Sequence, residues 1–97
     1  MKSESDKLER LEITVQGRVQ GVAFRWHTQS QARKLGVTGW VRNNPDGSVK
    51  MVAEGNRPDL ETFCAWALRG PDHARVDRQE TFWSQASGSF DDFLITG

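Results

Sequence analysis

Leu11, Ile13 and Val15 alternate with polar residues, the period-two pattern of a strand with one buried face. Further on, Phe24, Thr28, Ala32 and Leu35 recur at helical spacing and stop at Gly36, a residue suited to the left-handed position that ends a helix. Alternation returns at Val37, Gly39 and Val41, breaks at Asn43-Asn44-Pro45-Asp46-Gly47, and resumes at Val49, Met51 and Ala53 as far as Gly55. Asp-Gly behind a proline, between two alternating runs, is hairpin chemistry. Pro58 suits a helix start, after which Leu60, Phe63, Cys64, Ala67 and Leu68 form the cleanest helical stripe, closed by Gly70-Pro71. A fourth strand is expected between Ala74 and Trp83 with Val76 inward, and a short fifth within Phe90 to Ile95.

The order β-α-β-β-α-β predicts an α+β fold of the ferredoxin-like, split βαβ kind: an antiparallel sheet with two helices on one face. In that topology the first two strands run parallel with the third between them. Their C-terminal ends then share one sheet edge, roughly 10 Å apart across two strand spacings. The loop after the first strand and Asn43, which closes the second, are therefore expected to face a common space.

That loop is Gly17-Arg18-Val19-Gln20-Gly21-Val22-Ala23-Phe24-Arg25. Gly21 can take the positive φ that a nest of consecutive N–H groups needs, and the helix behind it adds its positive dipole end. Arg25 falls in the first helical turn, where a cation is disfavoured by about 0.3–1 kcal/mol. A residue that breaks a local rule marks a candidate functional position. The bland alternative is an ordinary strand-to-helix turn.

Charge sharpens the picture. The chain carries 13 basic and 13 acidic side chains, so its net charge of zero identifies no partner. No acidic residue lies between Glu12 and Asp46, whereas Arg18, Arg25, Arg33, Lys34 and Arg42 all do. A local positive field on a neutral chain suits a small anion better than a long polyanion. The length of 97 residues bounds the answer to one domain. Met1 to Arg10 reads as a polar, disordered leader and 11–97 as the domain. No signal-peptide core, apolar run of membrane length or repeat is present. The single cysteine, Cys64, excludes an internal disulfide and agrees with a cytoplasmic location.

The segment Gly17 to Arg25 resembles the first signature of acylphosphatases, and Gly39-Trp40-Val41-Arg42-Asn43, then Gly47-Ser48-Val49 and Gly55, is similar to the second at its expected spacing. The resemblance implies hydrolysis of the carboxyl-phosphate bond of small acyl phosphates, without metal or cofactor. It implies that Arg25 binds the phosphate, that Asn43 positions the attacking water, and that the loop residues Arg18, Val19, Gln20, Gly21 and Val22 cradle the phosphate oxygens through their amides. Inorganic phosphate is then both product and competitive inhibitor, and the expected protein is a monomer that engages neither nucleic acid nor membrane. The chain ends Phe93-Leu94-Ile95-Thr96-Gly97, without the basic or aromatic terminus of many relatives, which leaves terminal contacts to the site open. Ala23 occupies a variable position and is assigned no role.

Other candidates are weaker. His27 follows Arg25 by about 200° around a helix and points away from the loop. His73 sits in a Gly-Pro-Asp loop with no partner at ligand spacing. Cys64 and Arg69 superficially suggest a cysteine phosphatase, but Cys64 lies in the apolar stripe of the second helix and reads as core. Trp26, Trp40, Trp66 and Trp83 are packing area or a site wall. Two non-enzymatic readings of the same fold stay open: a small-anion sensor, and an RNA-binding module, although the first and third strands carry no aromatic residue on which a base could stack.

Overall fold

The computed structural model describes residues 8–97. Its elements run β1 (Leu8–Arg18), α1 (Phe24–Leu35), β2 (Thr38–Asn43), β3 (Val49–Asn56), α2 (Arg57–Arg69), β4 (Arg75–Gln85) and β5 (Phe93–Thr96). The strands form one sheet in the order β4-β1-β3-β2-β5. β3 pairs antiparallel with both β1 and β2, so those two are parallel to each other and flank it, as the split βαβ topology requires.

Two expectations need correction. The sheet is mixed, because β5 pairs with β2 in parallel, Gly39 opposite Phe93 and Val41 opposite Ile95. The cause is the crossing segment 86–92: the chain leaves β4 beside Glu9 and must travel to the start of β2 before it can add a strand. The second concerns Leu8, Glu9 and Arg10, expected to lie in a disordered leader. These residues belong to β1, where Arg10 is opposite Glu54 on one side and Ser84 on the other, while the rest of that segment lies outside the described residues.

Alternation decides which face is which. Leu11, Ile13, Val15, Val49, Met51 and Val41 are fully buried under the helices. α1 covers β2 and β5 while α2 covers β1, β3 and β4. From α1 come Phe24 and Ala32, and from α2 Leu60, Phe63 and Ala67. Phe63 meets Phe93 with ring centroids 5.7 Å apart, a tilted pair worth about 0.5–1.5 kcal/mol beyond the area it buries. That contact anchors β5, together with the Gln29 amide donating to the Phe93 carbonyl at 2.9 Å and the Gly39 N–H donating to the Asp92 carbonyl at 2.9 Å. Cys64 is half-buried, packed against the core rather than enclosed in it. No helix among the described residues is long and apolar enough to cross a membrane.

Candidate active site

β1 ends in a bulge. Its register with β4 shifts between Gln16 and Gly17, where φ is +131° and the Arg75 carbonyl stands where a Cβ would project. Only glycine fits so close an approach. The bulge hands the chain to an open turn in which Gly21 has φ +77° and Ala23 φ +58° before α1 begins. Ala23 is the one non-glycine residue in the left-handed region among the described residues, a conformation that costs about 1–2 kcal/mol for a side chain of this kind.

The turn leaves its amides unfilled. Ala23 stands at the cap of α1 with no side chain able to accept, and the first helical turn contains no acid. Helix geometry itself leaves the first N–H groups without an intrahelical partner. Among the described residues no protein acceptor serves any backbone N–H from Val19 to Trp26. A run of donors in that condition calls for water or an anion.

Val19, Gln20, Gly21, Arg25 and Asn43 line one cavity of about 190 Å³. Thus the common space expected from topology exists, with Arg25 from α1 and Asn43 from the end of β2 on its walls. The Arg25 side chain is half-buried and has no carboxylate or hydrogen-bond partner among the described residues. Arg18 and Val22 do not reach this cavity: Arg18 is exposed, opposite Arg75 in the sheet, and Val22 faces a neighbouring cavity of about 370 Å³. His27, Arg69 and His73 line that second cavity and not the one that holds Arg25 and Asn43.

Sequence reasoning missed three contributors. The first is the side chain of Gln20, counted only through its amide. It donates at 2.9 Å to both the Asn44 and the Ser48 carbonyl, tying the loop to the β2–β3 hairpin and so fixing Asn43 relative to it. The hairpin is stiffened from within. Arg42 Nε donates to Asn44 Oδ1 at 3.1 Å, Asn44 Nδ2 to Ser48 Oγ at 3.0 Å, and the Ser48 hydroxyl and amide to Asp46 Oδ1 at 2.6 and 2.9 Å. Those Ser48 bonds hold the Asp46 carboxyl below its ordinary range, ionised and engaged with its own turn. The second is Ala23, whose strain no propensity signals. The third is Ile95, brought to the cavity by β5. The parallel pairing with β2 could not be read from so short a run, but it is what brings Ile95 to the cavity wall.

A bulged strand, a loop whose amides lack protein acceptors among the described residues, an arginine in a helix's first turn and an asparagine closing the parallel strand two places away in the sheet define a small α+β domain with a site suited to an anion. Comparison with known proteins is more specific. The acylphosphatase family model matches residues 11–95. The acylphosphatase of Thermococcus kodakarensis is 47% identical over 91 residues, covering 94% of this chain and 99% of that one. Among solved structures, acylphosphatase from Bacillus subtilis superposes with a TM-score of 0.88 at 34% identity, over 92% of this chain and 99% of its own. An acylphosphatase from Coxiella burnetii gives 0.87 at 31% identity, over 99% and 100%. The chain belongs to the acylphosphatase family.

Proposed function

We propose that the chain hydrolyses the carboxyl-phosphate bond of small acyl phosphates, with the loop amides of Val19, Gln20 and Gly21 and the Arg25 side chain holding the phosphoryl group and Asn43 aiming the water. The chain is an acylphosphatase; the assignment of roles to residues is the part argued from geometry. One observation carries it: a run of amides with no acceptor among the described residues opens on the same cavity as Arg25, which has no partner among them, and Asn43.

The chemistry asks for little more. An arginine fork takes two phosphoryl oxygens at once, and its charge-assisted bonds are about twice as strong as neutral ones. Fixed amide dipoles stabilise the charge that spreads over the equatorial oxygens as the transition state loosens. Water oxygen then bonds to phosphorus as the bond from phosphorus to the acyl oxygen breaks. The electron pair leaves with the carboxylate, and the water's protons end on the released phosphate and in solvent. Because the leaving group is a stabilised carboxylate, no strong base is required. Asn43, which does not titrate, can orient water by accepting and donating hydrogen bonds. The product occupies the same cradle, which makes inorganic phosphate a competitive inhibitor. Arg25 and the amides supply the positive charge, so no divalent ion enters the scheme. Every proposed role falls on one chain, consistent with a monomer, and the single thiol suits a reducing cytoplasm.

Turnover of acetyl phosphate, measured with and without a chelator and against added inorganic phosphate, tests the reading. Hydrolysis that persists in chelator and is competitively inhibited by phosphate is expected. Activity that vanishes with chelator and returns with a divalent ion overturns the scheme.

A further inference from the structure

The site cavity has an apolar side that phosphate binding does not use. Of the five large apolar side chains exposed among the described residues, Trp26 at 61% and Ile95 at 39% line this one cavity. Apolar residues exposed singly are ordinary. These two come from the first turn of α1 and from the last strand, nearly seventy residues apart in the chain, and converge beside Arg25 and Asn43.

Their surroundings differ. The Trp26 ring stands edge-on to His27 with centroids 5.0 Å apart. Ile95 is opposite Val41 in the sheet and two residues beyond Phe93, which is fixed by Phe63 and by Gln29. The Arg33 guanidinium adds a two-pronged hold on Asp92, at 2.9 and 3.2 Å, just before β5 begins. Arg25 is the one charged side chain among the lining residues. With the phosphoryl group on Arg25 and the loop amides, the acyl group meets a wall with no second charge to pair.

We infer that Trp26 and Ile95 form the acyl-group wall of the site and select acyl phosphates with an apolar, aryl or alkyl, acyl group over those carrying a further carboxylate. The inference rests on the catalytic reading given above. An aromatic surface and a branched aliphatic one lining the same cavity gain from covering an apolar acyl group. A second carboxylate placed there loses hydration and gains no partner. The cavity, about 190 Å³, is small by the standards of ligand pockets, which run to about 300–1,000 Å³, and matches a phosphoryl group with a compact acyl group.

The test compares kcat/KM for benzoyl, acetyl and succinyl phosphate. The wild-type enzyme should prefer benzoyl over succinyl phosphate by on the order of tenfold or more. Trp26→Ala and Ile95→Ala should each lower the benzoyl-to-acetyl ratio by on the order of tenfold, the scale set by apolar contacts in a specificity pocket. Ile95→Lys should raise succinyl relative to benzoyl phosphate, since it gives the second carboxylate a partner. Phe82→Ala, which removes an equally exposed aromatic from the opposite face of the sheet, should leave every ratio where it was. Ratios unmoved by Trp26→Ala and Ile95→Ala, in proteins that still hydrolyse acetyl phosphate, overturn the wall and leave the catalytic reading standing. Failure of the wild-type chain to hydrolyse any of the three overturns both.

Discussion

Two loops in this molecule set backbone amides beside an arginine, and only one of them holds an anion of the protein's own. In the crossing segment 86–92, the Glu54 carboxylate accepts the Ser87 N–H at 2.8 Å, the Gly88 N–H at 3.0 Å and the Ser87 hydroxyl at 2.9 Å, with Arg10 at 3.7 Å. Glu54 is 4% exposed, and Gly88 has φ +72°. Burial by itself would raise the Glu54 carboxyl, but the donors from Ser87 and Gly88, with the charge of Arg10, outweigh it and hold the group below the ordinary range. At the other end of β1 the parts are repeated: Gly21 at φ +77°, a run of amides and Arg25. The carboxylate is missing. No acidic residue lies between Glu12 and Asp46, and Asp46 is engaged by Ser48. The same local machinery is thus a structural latch where the sequence supplies an anion and a receptor where it withholds one.

The sharpest way to break that comparison is to disarm the open loop. Arg25→Ala should lower kcat by about 10²–10³ or more, the scale for losing one donor to developing charge, and should also weaken inhibition by phosphate. Asn43→Ala should lower kcat while leaving phosphate inhibition near wild type, because placing water is not ground-state binding. Steady-state kinetics with phosphate as inhibitor reads both. If the two folded variants keep wild-type turnover, the open loop is no more catalytic than the filled one.

The converse experiment gives the open loop a carboxylate. Aspartate tolerates the left-handed conformation of Ala23 better than most residues and sits at the cap of α1. Ala23→Asp should leave thermal stability equal or slightly raised, since a carboxylate at a helix N-terminus contributes about 0.3–1 kcal/mol. It should cut kcat/KM for acetyl phosphate by about 10²–10³-fold, as expected for like charges about 4–6 Å apart at an effective dielectric constant near 20. Unchanged kcat/KM would mean that the phosphoryl group does not approach this end of the helix.

How much of this was legible in the sequence depends on range. Elements built on local periodicity, such as the α2 stripe through Leu60, Phe63 and Ala67, stand where the pattern put them, because a buried face dictates which residues recur. Asn43 and Arg25 were legible through topology: parallel first and second strands bring their ends together whatever the loops do. The direction of β5 was not legible, because it follows from where the crossing segment is latched, and the Glu54 contacts span more than thirty residues. Gln20 was half-legible. Its place in the loop was plain, but a side-chain amide bridging two carbonyls of a distant hairpin leaves no periodic trace. Ala23 carried no signal at all, since alanine, unlike glycine or asparagine, is not a residue that marks a position of positive φ.

On the filled side of the comparison, Glu54→Gln preserves shape and removes charge. The variant should lose about 1–3 kcal/mol of unfolding free energy at neutral pH, the cost of leaving buried donors and Arg10 poorly matched. The sign with pH follows from the lowered carboxyl. Its stabilising contribution is complete above the unfolded glutamate pKa of about 4.3 and disappears as pH falls through the lower folded value. The difference between wild type and Glu54→Gln in denaturant titrations should therefore close under acid, while kcat for acetyl phosphate stays near wild type. A difference that persists undiminished in acid would assign the latch to shape rather than charge.

The smallest effect is expected where phosphatase chemistry by another route would predict the largest. Cys64 is a thiol six residues before Gly70, which caps α2, and Arg69 follows it on the same helix, a pairing that invites comparison with a covalent phosphate mechanism. Geometry separates them from the open loop: neither lines the cavity of Arg25 and Asn43, and Arg69 faces the neighbouring cavity with His27 and His73. Burial raises the Cys64 thiol above its ordinary value, which keeps it protonated and a poor nucleophile. Its contribution is that of a small apolar group packed against the core. Cys64→Ala should cost about 0.5–1 kcal/mol, the scale of one partly buried methylene-sized group, and leave kcat and phosphate inhibition unchanged. A phosphorylated thiol trapped during turnover, or lost activity in a folded Cys64→Ala protein, would move the chemistry out of the open loop altogether.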